Sequence, residues 1–375
     1  MQAKSRLVRA TIALLAGALT ISGCAVIPPD AEVATVDYKA CLASSVASIE
    51  AGSIDDQALD GLQRAVLKQG VAFKHSVATA SPNTESYVKQ LKRLVGAGCN
   101  IVVAVSQPMA AATYRVAKAN PEVRFVLVDA QLTTSFGQPS ELENVRELRF
   151  DTATSAFMAG YLAAASSTSG VVAAFTASPA APVTDVILAF KQGVEHFNAQ
   201  KGASVSVIGA AGEEPGKWSR VDVWADSAAQ TSLAYRLASR GADVIFVYAG
   251  SVVLGENPGQ GSTDGSGADA ASPMFIGSDA DWFTLEANAP VAGSILASVT
   301  KRVAAEVETT IAMGLTDTFS GGSAGSFVGT LADGSVALTE AHSIAYPAGL
   351  AADLSRIASE IAEGTIVVAS SINNK

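Results

Sequence analysis

The sequence predicts an α/β protein built as two doubly wound parallel-sheet lobes joined by a hinge. Three observations predict it. Short β-branched runs alternate with amphipathic helical stretches along nearly the whole chain, and the number of such units exceeds what one open sheet carries comfortably. The third is bulk: 375 residues, 49% apolar and only 16% charged, can bury two cores. The alternation decides the sheet type, because parallel neighbours need a long crossover and a helix supplies it while covering a face.

The chain opens with Lys4, Arg6 and Arg9, a positive region ahead of the uncharged apolar stretch Ala10 to Leu19. That stretch is too short to span a bilayer, and it leads to Ile21-Ser22-Gly23-Cys24, which reads as a lipoprotein processing site. Cys24 would be acylated and become the mature N-terminus at the extracytoplasmic face of a cell membrane. Ala25 to Val36, with Pro28, Pro29 and Asp30, has no apolar periodicity and reads as a tether.

The strand and helix patterns then follow in order. Lys39 to Ala43 predicts a strand, Asp56 to Gln69 a helix with Leu59, Leu62 and Val66 on one face, and Val71 to Ala78 a strand. Thr84 to Val95 predicts a helix, Ile101 to Val105 a strand, Met109 to Ala119 a helix stopped before Pro121, and Val123 to Val128 a strand. Ser155 to Ala165 (helix), Val171 to Phe175 (strand), Val183 to Asn198 (helix) and Ser204 to Ile208 (strand) continue the rhythm. Ser227 to Ser239 is expected as a helix and Val244 to Tyr248 as a strand. Met274 to Ile276 and Ser294 to Ala297 read as strands, Val299 to Met313 as a helix, and Leu350 to Ala362 as a helix that docks on a lobe. Gly255 to Ser272 and Gly321 to Gly325 break the pattern and are expected as exposed loops. Cys41 and Cys99 border apolar runs and read as buried thiols, with a disulfide as the alternative in an oxidising compartment.

Composition also excludes. A formal charge of −10, more negative still once the leader cations are removed, argues against nucleic acid or an anionic lipid surface as partner. His75, His196 and His342 are scattered without metal-ligand spacing. The glycines of Gly255 to Gly267 do not follow a strand in dinucleotide-binding register, and no phosphate loop is present. Gly321-Gly322-Ser323-Ala324-Gly325 fits the letters of a nucleophile elbow but lacks the strand and helix that an elbow needs. No cofactor is indicated, and an enzyme would need an activated nucleophile or a metal.

Ligands of open parallel sheets bind outside the carboxyl ends of strands. The residues at those ends are Asp129 after Phe125 to Val128, Ala249-Gly250-Ser251 after Val244 to Tyr248, Asp279 after Met274 to Ser278, and Lys301 after Ser294 to Ser298. Gly250 would let a ligand approach the backbone. Two carboxylates, an ammonium and a glycine at equivalent topological positions point to a polar small-molecule site.

From about Lys39 to Leu338 the chain resembles the basic membrane protein lipoproteins, substrate-binding components of ABC importers that include purine nucleoside receptors. The resemblance rests on Asn144-Val145 through Phe150 to Phe157-Met158-Ala159-Gly160-Tyr161-Leu162-Ala163-Ala164, on Pro121 to Phe125 leading to Asp129, on Gly241 to Phe246 before Ala249-Gly250, on Ile276 to Asp281, and on Ser298-Val299-Thr300-Lys301. It implies a bilobal type I periplasmic-binding fold that closes on a nucleoside-like ligand and delivers it to an ABC permease. It also implies that Asp129 contacts the base, that Asp279 and Lys301 grip the ribose hydroxyls, and that Trp224 stacks on the base. The first binding segment departs from the family: Ser45 stands for an aspartate, Ile54 for a stacking phenylalanine, Asp55 for an asparagine, and Ser106-Gln107 for a Gly-Phe pair. Asp55 keeps acceptors and loses donors, which favours a ligand edge rich in N–H groups. A divergent lipoprotein that binds a different small molecule, or serves as a sensor or interaction protein, is the alternative. The expected division is 1–23 signal peptide, 24–36 tether, 37–148 with 282–318 as the first lobe, and 149–281 with 319–375 as the second.

Overall fold

The computed structural model describes residues 35–176, 181–209, 227–250 and 272–370. The expectations for the leader, for Cys24, for most of the tether, for Trp224 and for the glycine-rich stretch up to residue 271 lie outside them.

The first lobe opens with β1 (Lys39–Ala43), α1 (Ile54–Gln69), β2 (Ala72–Ser76), α2 (Thr84–Gly96), β3 (Ile101–Val105), α3 (Ala110–Ala119), β4 (Arg124–Val128) and β5 (Val145–Phe150). The chain crosses to the second lobe for α4 (Thr152–Ser166), β6 (Val171–Thr176), α5 (Ala181–Lys201), β7 (Ser206–Ile208), α6 (Ser227–Ala238), β8 (Val244–Tyr248), β9 (Met274–Asp279) and β10 (Ile295–Lys301). It returns for α7 (Val303–Leu315), the single turn α8 (Gly322–Gly325) and β11 (Phe327–Gly329), then ends with β12 (Val336–Leu338) and α9 (Leu350–Ala362). The strand orders are β11-β5-β4-β3-β1-β2 and β12-β10-β9-β8-β6-β7. Neighbours are parallel throughout except β12, which runs antiparallel to β10 at an edge.

Local chemistry sets the helix ends. Ser53 accepts a hydrogen bond from Asp56 N, so α1 begins at Ile54, ahead of the Asp56 expected from periodicity. Gly70, at φ +67°, closes it in the left-handed conformation that a side chain resists. Asn83 and Ser86 form a reciprocal capping box at the start of α2. The core follows from the pattern: β3 is buried along its whole length, as a strand covered on both faces must be. In the second sheet Val244, Phe246 and Tyr248 join the cluster of α4, α5 and α9, while Ile245, Val247 and Ala249 face α6 and Trp282.

Four expectations are corrected. Val299 to Met313 is not one helix: Val299, Thr300 and Lys301 pair with Leu338, Ala337 and Val336, so β10 runs to Lys301 and the helix starts at Val303. The lobe boundaries shift accordingly, since β10 belongs to the second sheet although 282–318 was assigned to the first lobe, and β11 returns to the first sheet from within 319–375. Cys41 and Cys99 are joined in a disulfide, their Cα atoms 5.9 Å apart, because β1 brings Cys41 beside the turn that leads into β3. Gly321 to Gly325 is not an exposed loop: Gly321, Gly322 and Gly325 are buried, and a Cβ on Gly321 would lie 2.4 Å from the Glu143 carbonyl. One strand the sequence pattern does not show is β5, whose charged residues Arg146, Glu147 and Arg149 mask it: of its six residues four pair with β4 and three with β11.

Among the described residues three connections join the lobes, at Asp151, at Arg302 and between Gly329 and Val336. They hold one another: Asp151 N donates to Gly329 O at 2.8 Å and Arg302 N to Ser335 O at 2.9 Å. No helix among the described residues is long and apolar enough to cross a membrane.

Candidate functional site

Strand order alone locates two crevices. In the first sheet the chain leaves β1 towards β2 and leaves β3 towards β4, so the carboxyl ends of β1 and β3 diverge; in the second sheet β6 and β8 do the same. Ser44 and Ser45 follow β1, Ser106 and Gln107 follow β3, Thr176 ends β6, and Tyr248 ends β8 ahead of Ala249 and Gly250. Asp129, Asp279 and Lys301 stand at the carboxyl ends of β4, β9 and β10.

Here the lobes meet. Lys301 Nζ, on a side chain only 1% exposed, donates to Asp129 Oδ2 of the first lobe at 2.7 Å and to the Tyr248 hydroxyl at 3.1 Å. It also lies 3.0 Å from Asp279 Oδ1, an ion contact whose angles fall short of a hydrogen bond. Two carboxylates face one ammonium, so the cluster carries acceptors in excess. Burial opposes the charge on Lys301, and the two aspartates and Tyr248 outweigh it, holding the ammonium well above its ordinary pKa of 10.5. Burial dominates at Asp279 instead and raises its carboxyl above 3.8 against the pull of Lys301. Of the two opposed effects the pairing decides for Lys301, which stays charged. Burial also pushes the Tyr248 phenol up to about 12, so it keeps its proton.

The backbone is bent to make this site. Ser106, Asp129 and Asp279 have φ of +71°, +53° and +70°. Left-handed non-glycine residues cost of order 1 kcal/mol each and cluster where a side chain must be re-aimed. Gly250, at φ +85°, takes the same conformation as a glycine can.

Among the expected site residues, the structure brings together Asp129, Asp279 and Lys301. Ser45, Ile54 and Asp55 form a second group. Asp55, 4% exposed, accepts from Ser45 N at 2.8 Å through Oδ1 and from Ser45 Oγ at 3.2 Å through Oδ2. Tyr87 donates to Ser45 O at 2.8 Å. Serine and aspartate thus satisfy one another across the loop, and Ile54 is buried at the head of α1. One turn along, Gln57 Nε2 donates to Asp279 O at 3.0 Å, linking α1 to the end of β9. Tyr248 and Gln57 escape the sequence reading. Tyr248 had a signal, a polar ring ending an otherwise apolar strand beside Gly250; Gln57, on the polar face of a helix, had none.

Residues 43–368 match the family model Bmp, described as ABC transporter substrate-binding protein PnrA-like. No curated protein matches. A solute-binding protein of an ABC transporter system from Aeropyrum pernix is similar in structure, with TM-score 0.70 and 19% identity over 90% of this chain and 94% of that one. One from Conexibacter woesei gives TM-score 0.63 and 15% identity over 89% and 99%. A transcriptional activator of the comK gene from Bacillus halodurans gives TM-score 0.62 and 19% identity over 87% and 98%. At these identities the likeness establishes the fold.

Proposed function

Because the chain belongs to the Bmp family of PnrA-like ABC transporter substrate-binding proteins, we propose that it captures a nucleoside-like ligand between its lobes and delivers it to an ABC permease, tethered to the membrane by a lipid on Cys24. The family is one of extracytoplasmic substrate-binding proteins rather than enzymes, and the Cys41–Cys99 disulfide suits that compartment.

The observation that carries this reading is the meeting of Asp129, from the first lobe, with Asp279, Lys301 and Tyr248 of the second. Lys301 balances the carboxylates, whose remaining lone pairs accept from ligand O–H and N–H groups. Gly250 admits the ligand to the backbone, Ile54 packs against one face of a base, and Trp224 supplies an indole for stacking, worth ~1–3 kcal/mol per base. Closure about the three connections at Asp151, Arg302 and Gly329 to Val336 brings these groups onto the ligand.

A second reading, a sensor or interaction lipoprotein that binds something else, is favoured by one observation. Ser45 and Asp55 bond each other through both carboxylate oxygens. One experiment separates the two. The chain from about Asp30, purified without lipid, is analysed for a co-purified small molecule and then titrated calorimetrically with nucleosides, bases and sugars. A nucleoside bound more tightly than millimolar supports transport of that class, and the absence of any such binding overturns it.

A further inference from the structure

We propose that Tyr248 is a specificity-determining residue: its hydroxyl holds the Lys301 proton that a ligand hydroxyl would otherwise take, so the chain favours a nucleoside with one hydroxyl fewer at that end. This rests on the nucleoside-like reading above.

An ammonium has three protons. Two of those of Lys301 go to Asp129 Oδ2 at 2.7 Å and the Tyr248 hydroxyl at 3.1 Å, and Asp279 Oδ1 stands 3.0 Å from the same nitrogen as an ion partner. With the Lys301 side chain 1% exposed, a ligand oxygen can reach this nitrogen only by displacing one of the three. The two carboxylates are charge partners and costly to remove from a buried cation. The phenol is the neutral one, and in chemistry it is the equivalent of a ligand alcohol.

Its position is built. Tyr248 ends β8, one of the two strands whose divergence opens the crevice of the second sheet. Alternation puts Tyr248 on the face that also carries Val299 and, two residues on, Lys301. β9 runs between β8 and β10, and its residue on that face at this level is the small Ser278, so the phenol can reach across to the lysine. Its ring centroid lies 6.1 Å from that of Phe246, within the cluster formed with α4 and α5, so the ring is packed while its hydroxyl meets Lys301.

The test is calorimetric titration of the wild-type chain and of Tyr248→Phe, which keeps the ring and removes the hydroxyl. The probes are adenosine and guanosine, each as the ribosyl, 2′-deoxy and 3′-deoxy form. One deoxy form should bind the wild type at least as tightly as its ribosyl parent. In Tyr248→Phe the affinity ratio should move about tenfold towards the ribosyl form, since a hydrogen bond to a charged group is exchanged. A purely structural role would weaken all the forms together and leave the ratio alone. Binding with an unchanged ratio overturns this inference and leaves the nucleoside reading standing. A wild type that prefers the ribosyl forms tenfold also overturns it, whether or not the variant folds. Failure of both proteins to bind any of the six overturns both.

Discussion

Asp55 shows what a side chain at the crevice can be doing besides touching a ligand. Burial pushes its carboxyl above the ordinary 3.8, and hydrogen bonds from Ser44 and Ser45 draw it back only in part. A carboxyl whose folded pKa is raised keeps its proton in the folded chain after the unfolded chain has released it. Its contribution to stability is therefore full below 3.8 and is lost as pH rises through the folded value. Asp55→Asn removes that loss while retaining an oxygen acceptor for Ser45 N. In urea unfolding the variant should gain on the wild type between about pH 3.5 and pH 7; a variant that falls behind over that range would show that the ionised carboxylate stabilises the loop. At this scale the sequence was half legible. Asp129, Asp279 and Lys301 were readable as strand-end polar residues, because a parallel sheet directs its carboxyl ends to one side. The bond between Ser45 and Asp55 was not, since it depends on how a ten-residue loop folds back on the head of α1.

Elements pack here through glycines that admit no substitute. Gly160 of α4 and Gly193 of α5 cross so closely that a Cβ on either would lie 1.9 Å from a backbone carbonyl of the other helix, at Phe190 and Phe157 respectively. Gly160→Ala must force the helices apart, at a cost of ~1–3 kcal/mol, and thermal unfolding should show a lowered midpoint; an unchanged midpoint would mean the crossing yields freely. Gly277 carries the same constraint against the fully buried Trp282, whose indole would stand 2.3 Å from an added Cβ. The disulfide acts between elements too, tying Cys41 of β1 to the start of β3 across 58 residues. Closing such a loop restricts the unfolded chain, so Cys41→Ser with Cys99→Ser should lose about 2–5 kcal/mol in denaturant unfolding. Equal stability of the double variant would place the value of the bridge elsewhere. The helices were legible from their periodicity and the pairing was not: both cysteines border apolar runs, and burial alone does not distinguish a thiol from a bridge.

At the scale of the molecule, the described residues form two sheets of one plan, each with a crevice where adjacent strands diverge, joined by three connections. The two-lobe plan was legible because strand and helix alternate for longer than one sheet can use. The crossing points were not. At Arg302 a strand passes into a helix with no glycine or proline to mark the change, and β11 and β12 are three residues each, too short for periodicity to register. With β10 in the second sheet, the Lys301–Asp129 pair joins one lobe to the other instead of bracing a single lobe. The central claim is that a nucleoside-like ligand is held at this junction, and the most direct measurement is its affinity for the wild type and for Lys301→Ala, after circular dichroism confirms that both fold. The wild type should bind more tightly than millimolar and the variant at least tenfold more weakly, the order expected when a buried charge partner of the site is removed. Undiminished affinity in the folded variant would contradict it.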